Sequence, residues 1–147
     1  MPAELDPRAL MHAQPTASLG TLMGGAPYVS LVLVAFDADG SPLLLLSRLA
    51  QHTKNLLADP RVSLLFDGTA GLEEPLTGPR LTVLGAAAAC PDAAAMDRYL
   101  IRHPSAAAYA GFSDFDLYKV GVERGHFVAG FGQIAWVEAA ELLGDRA

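Results

Sequence analysis

A second cysteine is missing from this sequence. Cys90 stands alone, which excludes an intrachain disulfide and fits a reducing compartment. Basic charge is also short: 10 Lys and Arg face 16 Asp and Glu, for a formal net charge of −6. A phosphate backbone needs a basic face, so nucleic acid is excluded as a partner. No uninterrupted apolar run approaches the ~20 residues that span a bilayer, which excludes a membrane helix. The opening MPAELDPRALMHA lacks the basic end and apolar stretch of a signal peptide, so a cytoplasmic protein is expected. Charged residues make up only 18% of the chain and hydrophobic ones 52%. At 147 residues there is material for one core, so one domain over 1–147 is expected, with 1–17 as a short N-terminal arm or helix. The surplus apolar surface calls for a subunit interface.

What is present is a series of short apolar runs punctuated by turn residues. SLGTLM reads as a strand broken at Gly24-Gly25-Ala26-Pro27. YVSLVLVAF, apolar and β-branched without alternation, reads as a strand buried on both faces. Asp37 to Gly40 is a turn that makes a hairpin with PLLLLS. Residues 50–58 form a short helix that Asp59-Pro60 ends, because proline forbids continuation. RVSLLF and RLTVLGAAA are strands on either side of the turn-rich DGTAGLEEPLTGP. Asp92 is placed to cap a helix over DAAAMDRYLIRH, and a shorter helix over Leu5 to His12 follows Glu4. Pro104 restarts the chain, and SAAAYAGF adds one or two turns. DFDLYKVGV, HFVAGFG and QIAWVEA bring the total to six or seven strands. The expected fold class is mainly β with peripheral helices (α+β), arranged as a small barrel.

Gly130-Phe131-Gly132-Gln133-Ile134-Ala135 matches the G-x-G-x-x-[GA] dinucleotide fingerprint. That motif works by opening a helix in a βαβ unit, with an acidic residue ~20 positions later. With Ala147 as the last residue, the expectation is instead a strand whose glycines permit a bulge or a close backbone approach. Between PLLLLS and RVSLLF, hydrogen-bonding side chains crowd together: Ser47, Arg48, His52, Thr53, Lys54 and Asn55. A helix start presents free N–H groups and partial positive charge, hydroxyls add donors, and Arg48 can grip a phosphate with two parallel bonds. This pattern describes a phosphate cradle; the plainer alternative is a turn at Ser47, with Asn55 pointing into solvent and Arg48 and Lys54 as ordinary surface charges. Glu73-Glu74 reads as a solvated pair, Asp114 and Asp116 as capping or turn residues on one strand face, and Cys90 as a small buried hydrophobe. Tyr28, Phe36, Tyr118 and Trp136 read as core or interface, and His103 as a helix end. His12, His52, His103 and His126 show no metal-ligand spacing, so no zinc site is expected.

SRLAQHTKNLLADPRVSLLF, then RLTVLG, DFDLYKV and GFGQIAW, together resemble the pyridoxamine 5'-phosphate oxidase-related flavin proteins, and within them the haem-utilisation branch. The resemblance runs from about Ser18 to Val137. It implies an FMN-binding split β-barrel, a homodimer with flavin at the subunit interface, and a small-molecule substrate. It further implies that Ser30, Leu31 and Val32 lie along the flavin. Ser47 and Arg48 would sit by the isoalloxazine and ribityl chain, and His52, Thr53 and Asn55 would approach the phosphate or ribityl hydroxyls. Gln133 would reach the partner's flavin or close the pocket.

Departures from the pattern narrow the activity. True oxidases of this family resemble R-x-V-L-L-K where this chain has Ser30-Leu31-Val32-Leu33-Val34-Ala35, and their basic pair becomes Gln51-His52. A second, pyridoxal-type phosphate loses its counter-charges, which argues against vitamin B6 oxidation. The leading expectation is an FMN-dependent oxidoreductase with no acid or base announced by the sequence. The alternatives are a haem-binding or haem-degrading protein and a module that binds flavin without turnover. If haem binds, His126 is the candidate axial ligand and His52 the fallback.

Overall fold

The computed structural model describes residues 6–130 and 132–144; Glu4 and Leu5 of the expected first helix, and Phe131 of the glycine motif, lie outside them. Helix α1 (Pro7–Ala13) is capped by Asp6, whose carboxylate accepts the Arg8 N–H at 3.1 Å, and Pro7 supplies a preset φ in its first turn. Strands β1 (Thr16–Met23) and β2 (Ala26–Leu33) pair antiparallel from Thr16↔Leu33 to Met23↔Ala26. Gly24 and Gly25, at φ 58° and 87°, make their two-residue turn. The expected break is therefore a tight hairpin.

YVSLVLVAF is split between two strands. β2 ends at Leu33, the Val34 N–H donates to the Pro15 carbonyl at 3.0 Å, and the chain leaves as β3 (Ala35–Phe36) to pair with β4 (Pro42–Ser47). Then follow α2 (Gln51–Ala58), β5 (Arg61–Asp67), a 3-10 turn over Pro75–Thr77, and β6 (Arg80–Ala89). Next come α3 (Ala93–Arg102), capped by Asp92 through the Ala94 N–H at 3.1 Å, and a 3-10 turn over Pro104–Ala108. β7 (Phe115–Gly130), β8 (Gln133–Glu138) and α4 (Ala139–Leu142) complete the described chain.

The eight strands form one antiparallel sheet, ordered β2-β1-β5-β6-β7-β4-β3, with β8 also on β7. β7 is one 16-residue strand where two were expected. Its first residues pair with β4 and its last with β8, so β4 and β8 follow one another along the same edge. Opposite Leu84 and Gly85 the register shifts and Glu123 is the extra residue, a bulge that adds twist where the sheet curls. The result is the split-barrel form of a mainly β protein with peripheral helices.

Two-sided burial belongs to β4, not to β2. Leu44 and Leu46 point into the main core with Leu19, Leu64, Phe66, Leu81 and Val83. Leu43 and Leu45 point the other way, against Ala95 and Tyr99 of α3. β2 is instead an edge strand, with Val29 68% and Leu31 72% exposed. Both runs look alike in sequence, and α3 decides between them by packing on β3 and β4 and leaving Val29 and Leu31 of β2 uncovered.

Candidate functional site

β2 and β4 approach each other beside the start of α2, and a cleft of about 340 Å³ opens there. Leu31, Val32, Ser47 and His52, all expected at the flavin, line it together with Leu33, Leu45, Leu46 and Ala50. Its far end is aromatic: Tyr99, Tyr109 and Phe115. Among the described residues, no Lys or Arg lines this cleft. Ser30, on the edge strand, forms a 2.8 Å hydrogen bond between its Oγ and His52 Nδ1. Burial pushes the His52 imidazole below its ordinary 6.5, so the ring is neutral at neutral pH.

The other predicted residues are engaged elsewhere. Ser47 Oγ donates to Asp114 Oδ2 at 2.6 Å while accepting the Leu49 N–H at 3.1 Å. Arg48 is ion-paired with Asp116 and donates from Nη2 to the Ser113 carbonyl at 2.6 Å. Its guanidinium thus ties the end of β4 to the start of β7. Thr53 is fully buried, and among the described residues its Oγ1 has no hydrogen-bond partner. Asn55 is buried too: its Nδ2 donates to Thr21 Oγ1 at 3.0 Å and its Oδ1 accepts from Gln51 Nε2 at 2.8 Å. Lys54 is exposed. Helix α2 has Ala50 as its N-cap residue, which has no polar side chain to cap it, so its first N–H groups are not claimed by a cap side chain.

Gln133 and His126 belong to a different surface. Gly130 and Gln133 pair across the β7–β8 hairpin, Gly132 sits at φ 76°, and the register slips at Ala129. The glycine motif thus holds both a bulge and a turn. Cross-strand partners share a face, and one row runs Leu31–Ser18–Leu65–Thr82–His126–Trp136 from β2 to β8. Along it lies an open trough of about 550 Å³ lined by the small residues Ser18, Gly20, Ser63 and Thr82 beside Tyr28, Val29 and Leu65. His126 packs on Trp136 with ring centroids 4.6 Å apart, and Arg124 covers the same indole at 4.1 Å.

No local sequence signal marks Tyr109 and Phe115, which reach the cleft because the chain returns after the 3-10 turn at Pro104 to pair Phe115 with Ser47 of β4. Nor does any join Ser30 to His52, 22 positions apart. Cys90 is partly rather than fully buried, and burial raises its thiol pKa, keeping it protonated. Ligand atoms of Asp37, Cys90 and Asp92 lie within 4.8 Å of one another, but Asp37 already accepts from Arg98 and Lys119 at 2.9 Å each.

Residues 6–129 match the family model described as pyridoxamine 5'-phosphate oxidase. The chain belongs to the pyridoxamine 5'-phosphate oxidase family. A family relative, the chloroplastic heme oxygenase HOZ of Arabidopsis thaliana, is 41% identical over 109 residues. That match takes in 72% of this chain but 33% of HOZ. Among solved structures, a heme-binding protein from Mycobacterium smegmatis is 27% identical with a TM-score of 0.86, over 97% of this chain and 61% of that one. ChuZ from Campylobacter jejuni, 18% identical, shares the fold at a TM-score of 0.79 over 93% of this chain and 59% of its own. The chain thus spans about a third of the curated relative and under two thirds of both structures.

Proposed function

We propose that this chain binds haem, as a cytoplasmic homodimer, with the macrocycle entering the β2–β4 cleft and a second copy covering the open sheet face. The observation that carries this reading is the composition of the cleft. It offers aliphatic and aromatic walls, one neutral imidazole, the Ser47 hydroxyl and the phenols of Tyr99 and Tyr109, and no Lys or Arg among the described residues. A flat apolar ring with a central metal is served by that set. Neither a phosphate nor the haem propionates find a counter-charge in the lining, since Arg48 is committed to Asp116, so the cleft serves the ring and the propionates would face solvent. HOZ and the mycobacterial protein, named for heme, support the same choice within the family. When bound, haem would supply redox-active iron, and the protein its position, polarity and access.

At about 340 Å³ the cleft lies near the lower end of small-molecule sites. A macrocycle seated there would extend beyond the cleft, and Leu31, which lines it and is 72% exposed, would border the part left outside. Val29, Leu31, Ile134 and Trp136 are exposed on β2 and β8 and supply the apolar surface a second copy would cover.

An FMN-dependent oxidoreductase is the second reading. It is favoured by one observation: Leu31, Val32, Ser47 and His52 share a single cleft, and the first helical N–H groups of α2 stand beside it. The absorption spectrum of the purified protein, before and after haemin is added, separates the two. A Soret band that saturates at a fixed haemin-to-protein ratio is expected. A two-band flavin spectrum with no saturable Soret band would replace haem with FMN.

A further inference from the structure

Resting on the haem reading, a choice among histidines follows from the geometry. His103 is buried with its Nε2 bonded to the Val34 carbonyl at 2.8 Å. His12 is stacked on Phe36 with ring centroids 4.1 Å apart. His126, the residue the sequence favours, lies on the open face against Trp136, and it does not line the cleft. His52 does line it.

The ring of His52 is also held. Its Nδ1 lies 2.8 Å from Ser30 Oγ, which brings a side chain of the edge strand onto the first turn of α2. An imidazole that ligates a metal through one nitrogen almost always gives its other N–H to a fixed partner, which sets the tautomer and the ring plane. In the Nδ1–H tautomer His52 donates to Ser30, and Nε2 keeps its lone pair. We infer that His52 Nε2 is the axial ligand to the haem iron and that Ser30 is the positioning residue that orients it. The bond is a dative one, from the nitrogen lone pair to iron, and no electron or proton is transferred in forming it.

Ser30 on β2 and His52 on α2 thus meet side chain to side chain. A guanidinium at position 30 would offer only donors to an imidazole, whereas a hydroxyl accepts the Nδ1 proton.

The test uses haemin titrations of the full chain and of His52→Ala, His52→Gln, His126→Ala and Ser30→Ala, each first checked for native circular dichroism. Ligation is read by electron paramagnetic resonance of the ferric form and by the iron–histidine stretch in the resonance Raman spectrum of the dithionite-reduced form. The parent chain and His126→Ala should show that stretch. His52→Ala and His52→Gln should lose it, and added imidazole should restore a nitrogen-ligated spectrum in His52→Ala. Ser30→Ala should keep the ligand but lower the stretching frequency and weaken haemin binding about tenfold. Ser30→Thr, which retains the hydroxyl, should restore both.

Loss of the stretch in His126→Ala with retention in both His52 variants would overturn the assignment while leaving haem binding intact. An unchanged stretching frequency in Ser30→Ala would remove Ser30 from its positioning role. Absence of any saturable Soret band in the parent chain would end the haem reading itself.

Discussion

Thr53 and Asn55, two positions apart on α2, contribute to stability with opposite signs. Asn55 bridges Gln51 to the buried Thr21 hydroxyl, so Asn55→Ala strands that hydroxyl without a partner. A loss of about 1–3 kcal/mol is expected, read as a lower urea midpoint. Thr53 Oγ1 is buried and unpaired, so Thr53→Val removes a polar group that makes no bond. It should raise stability by about 1 kcal/mol in the same assay; a drop of that size would show that the hydroxyl has a use. Asp37 contributes to the acid response alongside Asp39, Asp59 and Asp67, whose carboxyls are also held below 3.8. Burial pushes the Asp37 carboxyl up, but Lys119, the Ala38 N–H and Arg98 together outweigh that and hold it below 3.8. A carboxylate whose folded pKa is depressed adds stability above its unfolded value and loses it as pH falls through the folded one. Acid unfolding should therefore steepen below about pH 4 and be shallower in Asp37→Asn, with a parallel pair of curves as the contrary result.

Elements stabilised by neighbours in sequence were legible; those decided by distant partners were not. Asp92 and Pro60 act on residues next to them, and α3 and the end of α2 lie where the sequence places them. The apolar runs of β2 and β4 carry no such local information. β4 is covered on both faces only because α3, some fifty residues on, packs its Ala95 and Tyr99 there. The site divides in the same way. Ser47 and His52 reach the cleft because the strand and helix that carry them adjoin, whereas Arg48 is claimed by Asp116, 68 positions away. The β1–β2 hairpin gives the element-scale prediction. Gly25 stands at φ 87°, a left-handed conformation that costs a β-branched residue ~1–2 kcal/mol. Gly25→Val should lower the thermal midpoint and Gly25→Asn should lower it less; equal effects would mean that the turn does not demand that φ.

At the scale of the molecule, the edge strand and the open face are where the account commits itself. Val29 and Leu31 project from β2 onto a face whose row continues through Leu65 and Thr82 to Trp136. Burial of a dimer there should exceed ~2,000 Å² in total. Sedimentation should give a dimer at micromolar concentration, and Leu31→Asp should give a folded monomer; a dimer unaffected by that charge would place the interface elsewhere. The central claim is that the β2–β4 cleft selects a metal-bearing macrocycle over a phosphate-bearing flavin. Parallel titrations of the apo-protein with haemin and with FMN, followed by quenching of Trp136 fluorescence, test it most directly. Saturable haemin binding at least about tenfold tighter than FMN is expected, a difference of about 1.4 kcal/mol. FMN binding as tight as haemin or tighter would contradict it.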